Sequence, residues 1–304
     1  MTIARRTLLR TAAAGALAAP LLSCGSSVAG TLRIAAGRPG GVFERFGRQL
    51  AAELGRHHPD LRISFAPVAD DSAALDAVQA GEAELAIAQL DMVAERQTGR
   101  IRALGRVFEN YAQLMVLTDG PIRGIDDLPG HTVHLGEATG PSALLGKRIL
   151  DCVPRPLEVR HTFAPFDVAV ADTLAGAAAG LLWCGEVAPS FTAGVTKLRL
   201  VDLAATLQSL IAYYASFYDS ILVPSGVYGA SNVVHTIGCP ALLVCPQQLT
   251  AELATAVVQV LLAQARLLTA ATSGSQFVDA RSLIATSPIP LHDAVADVYR
   301  ADHG

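Results

Sequence analysis

Apolar positions change their period several times along this chain. Leu32, Ile34 and Ala35 form a short apolar run that predicts a strand, and Gly37, Arg38, Pro39, Gly40 and Gly41 form a turn. Phe46, Leu50 and Leu54 then recur every four residues, which predicts a helix with one apolar face. Pro59 stops that helix before a second strand, Ile63 to Val68. Strand, helix and strand in so short a span make a βαβ unit with parallel strands. A second helix from Ser72 turns Ala74, Leu75 and Val78 inward and ends at Gly81, as a left-handed C-terminal glycine would end it. Leu85 to Gln89 is the next strand.

The same phrase returns later. A strand at Val133 to Leu135 leads into the turn Gly136 to Ser142, and the stretch from Leu174 to Leu182 passes from helix through Gly176 into a buried strand. One α/β plan built twice implies two similar lobes. Tyr111 to Thr118 predicts a strand, and the Pro-, Gly- and Asp-rich segment Gly120 to Pro129 predicts a crossing into the second lobe. Asn232 to Cys245 carries a strand, Ala241 to Val244, that returns the chain. Thr250 is an N-cap for a helix reaching about Leu268. Two crossings make a hinge.

The N-terminus is a different kind of segment. Arg5 and Arg6 precede an apolar stretch from Ala12 to Leu22, the layout of an export signal. The paired arginines resemble the twin-arginine signal, although Ala4 and Leu8 replace its usual serine and phenylalanine. Cys24 stands where a bacterial lipoprotein is lipidated, with the bulky Leu22 two residues before it; a plainly cleaved signal is the alternative. Either places the folded part, anchored or free, outside the cytoplasm. Residues 1–23 hold three arginines and no acid, so the 281 residues that follow carry a net charge of −7, against −4 for the whole chain. An acidic balance argues against a nucleic-acid surface. Half the residues are apolar, and no apolar run after Cys24 approaches the roughly 20 needed to span a bilayer. Cys239 and Cys245 fall in one strand, where six residues span about 20 Å, too far for a bond. Buried free thiols are expected for these two and for Cys152 and Cys184. No Cys or His spacing suggests a metal.

Candidate chemistry collects at the turns. Gly37 to Gly41 lies between a strand's C-terminus and a helix's N-terminus, where open α/β sheets bind ligands and where free N–H groups favour an anion. Arg38 at its tip can fork onto a carboxylate or stand in solvent. Gly136 to Ser142 holds the matching place in the second lobe, with Thr139, Gly140 and Ser142 as donors. It is not a phosphate loop: Gly140 is one residue out of place before Gly146 and Lys147, and Arg148 replaces the Ser or Thr that would hold magnesium. Asp70, Asp71 and Ser72 follow the second strand, with Ser72 or Asp71 as the helix cap. Gln89 and Asp91 end the third strand at the same edge of the sheet. Trp183 is either a stacking platform or a core residue. No nucleophile elbow or zinc-protease helix occurs, and an enzyme is not expected.

From about Thr31 to Tyr299 the chain resembles the TAXI-type substrate-binding proteins of tripartite ATP-independent periplasmic (TRAP) transporters. The passages that carry the resemblance are Gly37 to Gly47, Leu75 to Asp91 with Gly81, Glu84 and Gln89, the set Ile125, Leu128, Gly130 and Val133, the run Pro224 to Tyr228, and Pro290, Leu291 and His292. Departures surround the expected pocket. Val42 and Phe43 replace tyrosines, Ala74 and Leu75 replace an asparagine, Ala179 and Gly180 replace an acid, and Gly185, Glu186, Val187, Ala188 and Pro189 replace a Gly-Leu-Pro-like segment.

The resemblance implies an α/β, two-lobed, type II periplasmic-binding-protein-like fold, a Venus flytrap with a parallel-rich sheet in each lobe. Residues 31–118 and 235–304 would form lobe one, 119–234 lobe two, and 24–30 a linker. It implies a receptor, active as a monomer without cofactor, that delivers a dicarboxylate or acidic amino acid to a TRAP permease. The ligand would touch Gly37, Arg38, Gly40, Gly41, Val42, Phe43, Asp71, Ser72, Gln89 and Asp91 from one lobe. From the other it would touch Thr139, Gly140, Ser142 and Glu186, with Glu186 and Asp71 opposing a dianion unless Arg38 offsets them. A ligand-binding lipoprotein acting as a sensor, or an enzyme on the same frame using Lys147 or His134, are the alternatives.

Overall fold

Two copies of one strand order, joined through two long strands, make up the protein in its computed structural model. The structure describes residues 28–302 apart from 97–98, 188–196, 215–216, 230 and 271–279. The export signal, Cys24, Ala188 and Pro189 lie outside these. The first copy begins with β1 (Gly30–Ala35), α1 (Val42–His57), β2 (Leu61–Phe65), α2 (Asp71–Ala80), β3 (Leu85–Gln89) and α3 (Leu90–Arg96). Strand β4 follows over Ile101–Leu117. The second copy runs β5 (Thr132–His134), α4 (Pro141–Asp151), β6 (Arg160–Thr162), α5 (Phe166–Leu174) and β7 (Gly180–Gly185). Then come β8 (Leu198–Leu200), α6 (Ala204–Tyr213), β9 (Asp219–Val223) and β10 (Val234–Pro246). Among the described residues the helices after β10 are α7 (Ala251–Ala263), α8 (Ala265–Ala270), α9 (Ala280–Leu283) and α10 (Val295–Asp302).

The strands run in the order β2-β1-β3-β10-β4-β7-β5-β6, with β8 on β4 and β9 on β10. β1 lies parallel to β2 and β3, and β5 lies parallel to β6 and β7. So β2-β1-β3 against β10 repeats as β6-β5-β7 against β4, and in each copy the long strand is antiparallel. The sheet is therefore mixed, parallel in its outer strands and antiparallel where the long strands cross. β4 pairs with β10 over Ile101–Ala112 and with β7 over Tyr111–Val116. β4 thus passes from β10 to β7 near Asn110 to Ala112, where both partners flank it.

Strand alternation divides the core. Leu32 and Ile34 face a cluster with Phe46, Leu50, Leu54, Val257 and Leu261, while Ala35 faces a second cluster with Ala74, Leu75 and Val78. That second cluster continues through Ala112 and Leu114 to Val133, Leu145 and Leu182, so one apolar layer runs from lobe to lobe. The helix expected over Thr250–Leu268 keeps its cap, Thr250 Oγ1 accepting from the Leu253 N–H at 3.4 Å, but it breaks at Gln264. β4 starts ten residues before Tyr111. Arg102, Arg106, Glu109 and Asn110 hide that strand from a hydrophobicity pattern, and Arg106 sits in it because it pairs with Glu109 and with Asp219 at 3.7 Å. All four described cysteines are free thiols.

A buried knot joins the copies beside the crossing. Arg148 of α4 donates to the Tyr218 hydroxyl at 2.6 Å, and that hydroxyl donates to Asp91 Oδ2 of α3 at 3.0 Å. Tyr218→Phe leaves both buried charges short of a partner, and a loss of about 1–3 kcal/mol in unfolding free energy is expected from urea titration.

Candidate functional site

The loops after β1 and β5 occupy equivalent places, and both end at a helix with no side-chain cap. Gly41 caps α1 and Gly140 caps α4 through extended backbone alone, which leaves first-turn N–H groups unclaimed by any side chain. Glycine is required near each start. Gly37 and Gly136 both hold φ +66, and a Cβ on Gly37 would stand 1.9 Å from Asp71 Oδ1, while one on Gly136 would stand 2.8 Å from the Ser142 Cβ. The tight turns thus let Asp71 and Ser142 tuck behind the two loops.

Between the loops is a cavity of about 60 Å³ lined by Arg38, Val42, Phe43, Arg45, Asp71, Asn110, Glu137, Ser142, Trp183 and Glu186, with backbone from the glycine turns. At roughly 10–15 Å³ for each water-sized position, it has room for a few heavy atoms. Side chains meet across it. Arg45 reaches Glu186 at 2.5 Å, and Arg38 lies 3.6 Å from Glu137 and 5.3 Å over the Trp183 ring; outside the cavity, Thr139 Oγ1 donates to Asp70 Oδ2 at 2.7 Å. Ser142 Oγ accepts from the Cys184 N–H at 2.9 Å, which leaves the hydroxyl proton to donate elsewhere. Trp183 lines this cavity with Phe166 edge-on behind it, 4.8 Å between ring centres.

Of the residues expected at the site, Arg38, Gly40, Gly41, Val42, Phe43, Asp71, Gly140, Ser142 and Glu186 line the cavity. Gly37 supports it from behind Asp71. Four expected residues are placed elsewhere. Ser72 Oγ accepts from Arg96 Nη2 at 2.6 Å and, with Thr139, faces a neighbouring depression. Asp70, not Asp71 or Ser72, caps α2, its Oδ1 accepting from the Ala73 N–H at 2.7 Å. Gln89 and Asp91 are fully buried one layer below the cavity. The residues that sequence reasoning missed are Arg45, Asn110 and Glu137. Nothing local in α1 marks Arg45 for the site, and Asn110 lies in the half of β4 that the pattern did not reveal.

Asp71 is 8% exposed and makes no hydrogen bond or ion pair among the described residues. Burial pushes its carboxyl up to about 7; Arg38 opposes the rise, while Asp70 and Glu137 add to it. In the unfolded chain the group ionises near its ordinary 3.8. The unfolded state therefore loses the proton first, and native stability falls as pH rises from about 4 to about 7. Asp71→Asn removes that penalty. Its stability relative to the parent should rise by a few kcal/mol between pH 4 and pH 8, measured by urea unfolding at each pH.

Three solved structures of similar fold align over most of the chain. The substrate-binding protein of an amino acid ABC transporter has a TM-score of 0.50 and 16% identity, over 80% of this chain and 97% of that one. XAC2383 from Xanthomonas citri, bound to chloride ion, scores 0.54 at 15% identity, over 90% and 99%. The periplasmic aliphatic sulphonate binding protein SsuA from Escherichia coli scores 0.52 at 16% identity, over 90% and 83%. The architecture is the two-lobed α/β fold of type II periplasmic binding proteins. No curated protein matches the chain in sequence. Residues 34–301 match the family described as NMT1-like, and the chain belongs to that family.

Proposed function

We propose that the protein is an extracytoplasmic receptor that closes on a small solute between its lobes and hands it to a membrane transporter. The observation that carries this reading is the meeting of two uncapped helix N-termini, one from each βαβ copy, at a single cavity. Neither turn alone encloses a solute; together they do so only when the lobes approach. First-turn N–H groups, Arg38 and Arg45 suit an acidic group on the solute. Structural neighbours named for an amino acid and for aliphatic sulphonates support a small solute of that kind.

Residues 31–118 with 235–304 form lobe one in this reading and residues 119–234 lobe two, with β4 and β10 shared between them. The segment 1–23 exports the chain, and Cys24 anchors it to the membrane. The resemblance over Gly37–Gly47 and Leu75–Asp91 supports a TRAP permease as recipient, whereas the named neighbours include a component of an ABC system. Affinity capture from detergent-solubilised membranes separates the two: a many-helix permease without an ATPase subunit supports TRAP, and a permease with one overturns it.

A bound solute stabilises only the closed native state. At 100 times its dissociation constant it should add about 2.7 kcal/mol to unfolding free energy in a thermal-shift screen of organic acids, sulphonates and amino acids. Arg45→Ala should weaken that response at least tenfold in ligand concentration.

A further inference from the structure

Hydrogen-bond polarity below the cavity is fixed from one end. Arg148 donates only; an arginine offers no acceptor. Its Nη1 donates to the Tyr218 oxygen at 2.6 Å, so the single Tyr218 hydrogen goes to Asp91 Oδ2 at 3.0 Å. Asp91 Oδ1 accepts the Met92 N–H at 2.8 Å. Gln89 must therefore turn its amide nitrogen toward that oxygen, at 2.9 Å, and its carbonyl away. The Gln89 Oε1 takes the Asn110 amide nitrogen at 3.0 Å. Asn110 is left with Oδ1 buried and without a hydrogen-bond partner among the described residues, on a residue that lines the cavity.

Asn110 Oδ1 can accept and cannot donate. Asp71, which lines the same cavity, is when ionised also an acceptor without a hydrogen bond among the described residues. The two cationic side chains here already face carboxylates, Arg45 at Glu186 and Arg38 at Glu137. With Asp71 ionised, three acids against two bases leave one excess negative charge, and a dianion would raise it to three. A solute carrying a positively charged N–H group cancels the excess and fills both vacant acceptors. We infer that Asp71 and Asn110 recognise a cationic nitrogen, so that the solute is a small zwitterion with one acidic and one ammonium-type group rather than a dicarboxylate. This rests on the receptor reading above, which supplies the acidic end at the helix N-termini. Asp91 and Gln89 touch no solute; they are positioning residues that hold Asn110 in its accepting orientation.

The test uses isothermal calorimetry on the purified protein with three matched sets: α-amino acids, the corresponding desamino acids, and C4–C5 dicarboxylates without nitrogen. The tightest solute is expected among the amino acids, with its desamino partner at least tenfold weaker. Asp71→Asn and Asn110→Ala should each shrink that ratio to threefold or less. Asp91→Asn, which frees the relay to reverse, should shrink it too, and a merely structural role for Asp91 would leave the ratio intact. A desamino acid or dicarboxylate that binds as tightly as the best amino acid overturns the inference and leaves the receptor standing. Native mass spectrometry of the protein as purified gives an independent answer, since a nitrogen-free bound solute also overturns it. No bound solute and no heat with any set overturns the receptor reading as well.

Discussion

The antiparallel ladder between β4 and β10 holds the site together, because it ties the two βαβ units into one sheet. Its pairs run from Ile237 with Ala112 to Pro246 with Ile101, and each strand leaves the ladder to pair within a lobe. A sheet built this way can bend where the strands change partners but cannot slide, since a one-residue slip would turn every buried side chain to the wrong face. Bending there would change the gap between the loops after β1 and β5. Sliding would separate Asn110 from Gln89 and break the relay that gives the cavity its polarity.

Hydrophobic period made much of this architecture readable. Phe46, Leu50, Leu54, Leu75 and Val78 are almost wholly buried, and β3 occupies the same five residues as its apolar run. The two glycine turns were visible because a strand followed by glycines and an amphipathic helix is a local signal. What the sequence concealed was long-range. Arg102, Arg106, Glu109 and Asn110 look like surface residues until Asp219, brought in from β9, gives Arg106 a second partner. The salt bridge from Arg45 to Glu186 joins residues 141 apart, and nothing local in either helix or strand announces it. Gln89 and Asp91 were singled out for their place at the sheet's edge; both are fully buried, and Gln89 meets the cavity lining through its hydrogen bond with Asn110.

Three buried carboxylates, Asp71, Asp91 and Glu109, are sorted by their surroundings. Burial raises the pKa of all three, Asp91, Glu109 and Asp71, because an ion loses its hydration there. Asp91 is compensated: Gln89, Met92 and Tyr218 donate to it, and Arg148 stands 3.8 Å away. Glu109 is compensated by Arg106. Both therefore belong to the fixed structure, where satisfied polar groups set one arrangement of the crossing strands. Asp71 has Arg38 in its field but no donor on its oxygens among the described residues. An uncompensated carboxylate destabilises the fold, and Gly37, whose missing side chain makes room for it, adds a second local constraint. Two such costs at the mouth of a cavity, matched by a vacant acceptor on Asn110, are what a site shaped around an absent cation would carry.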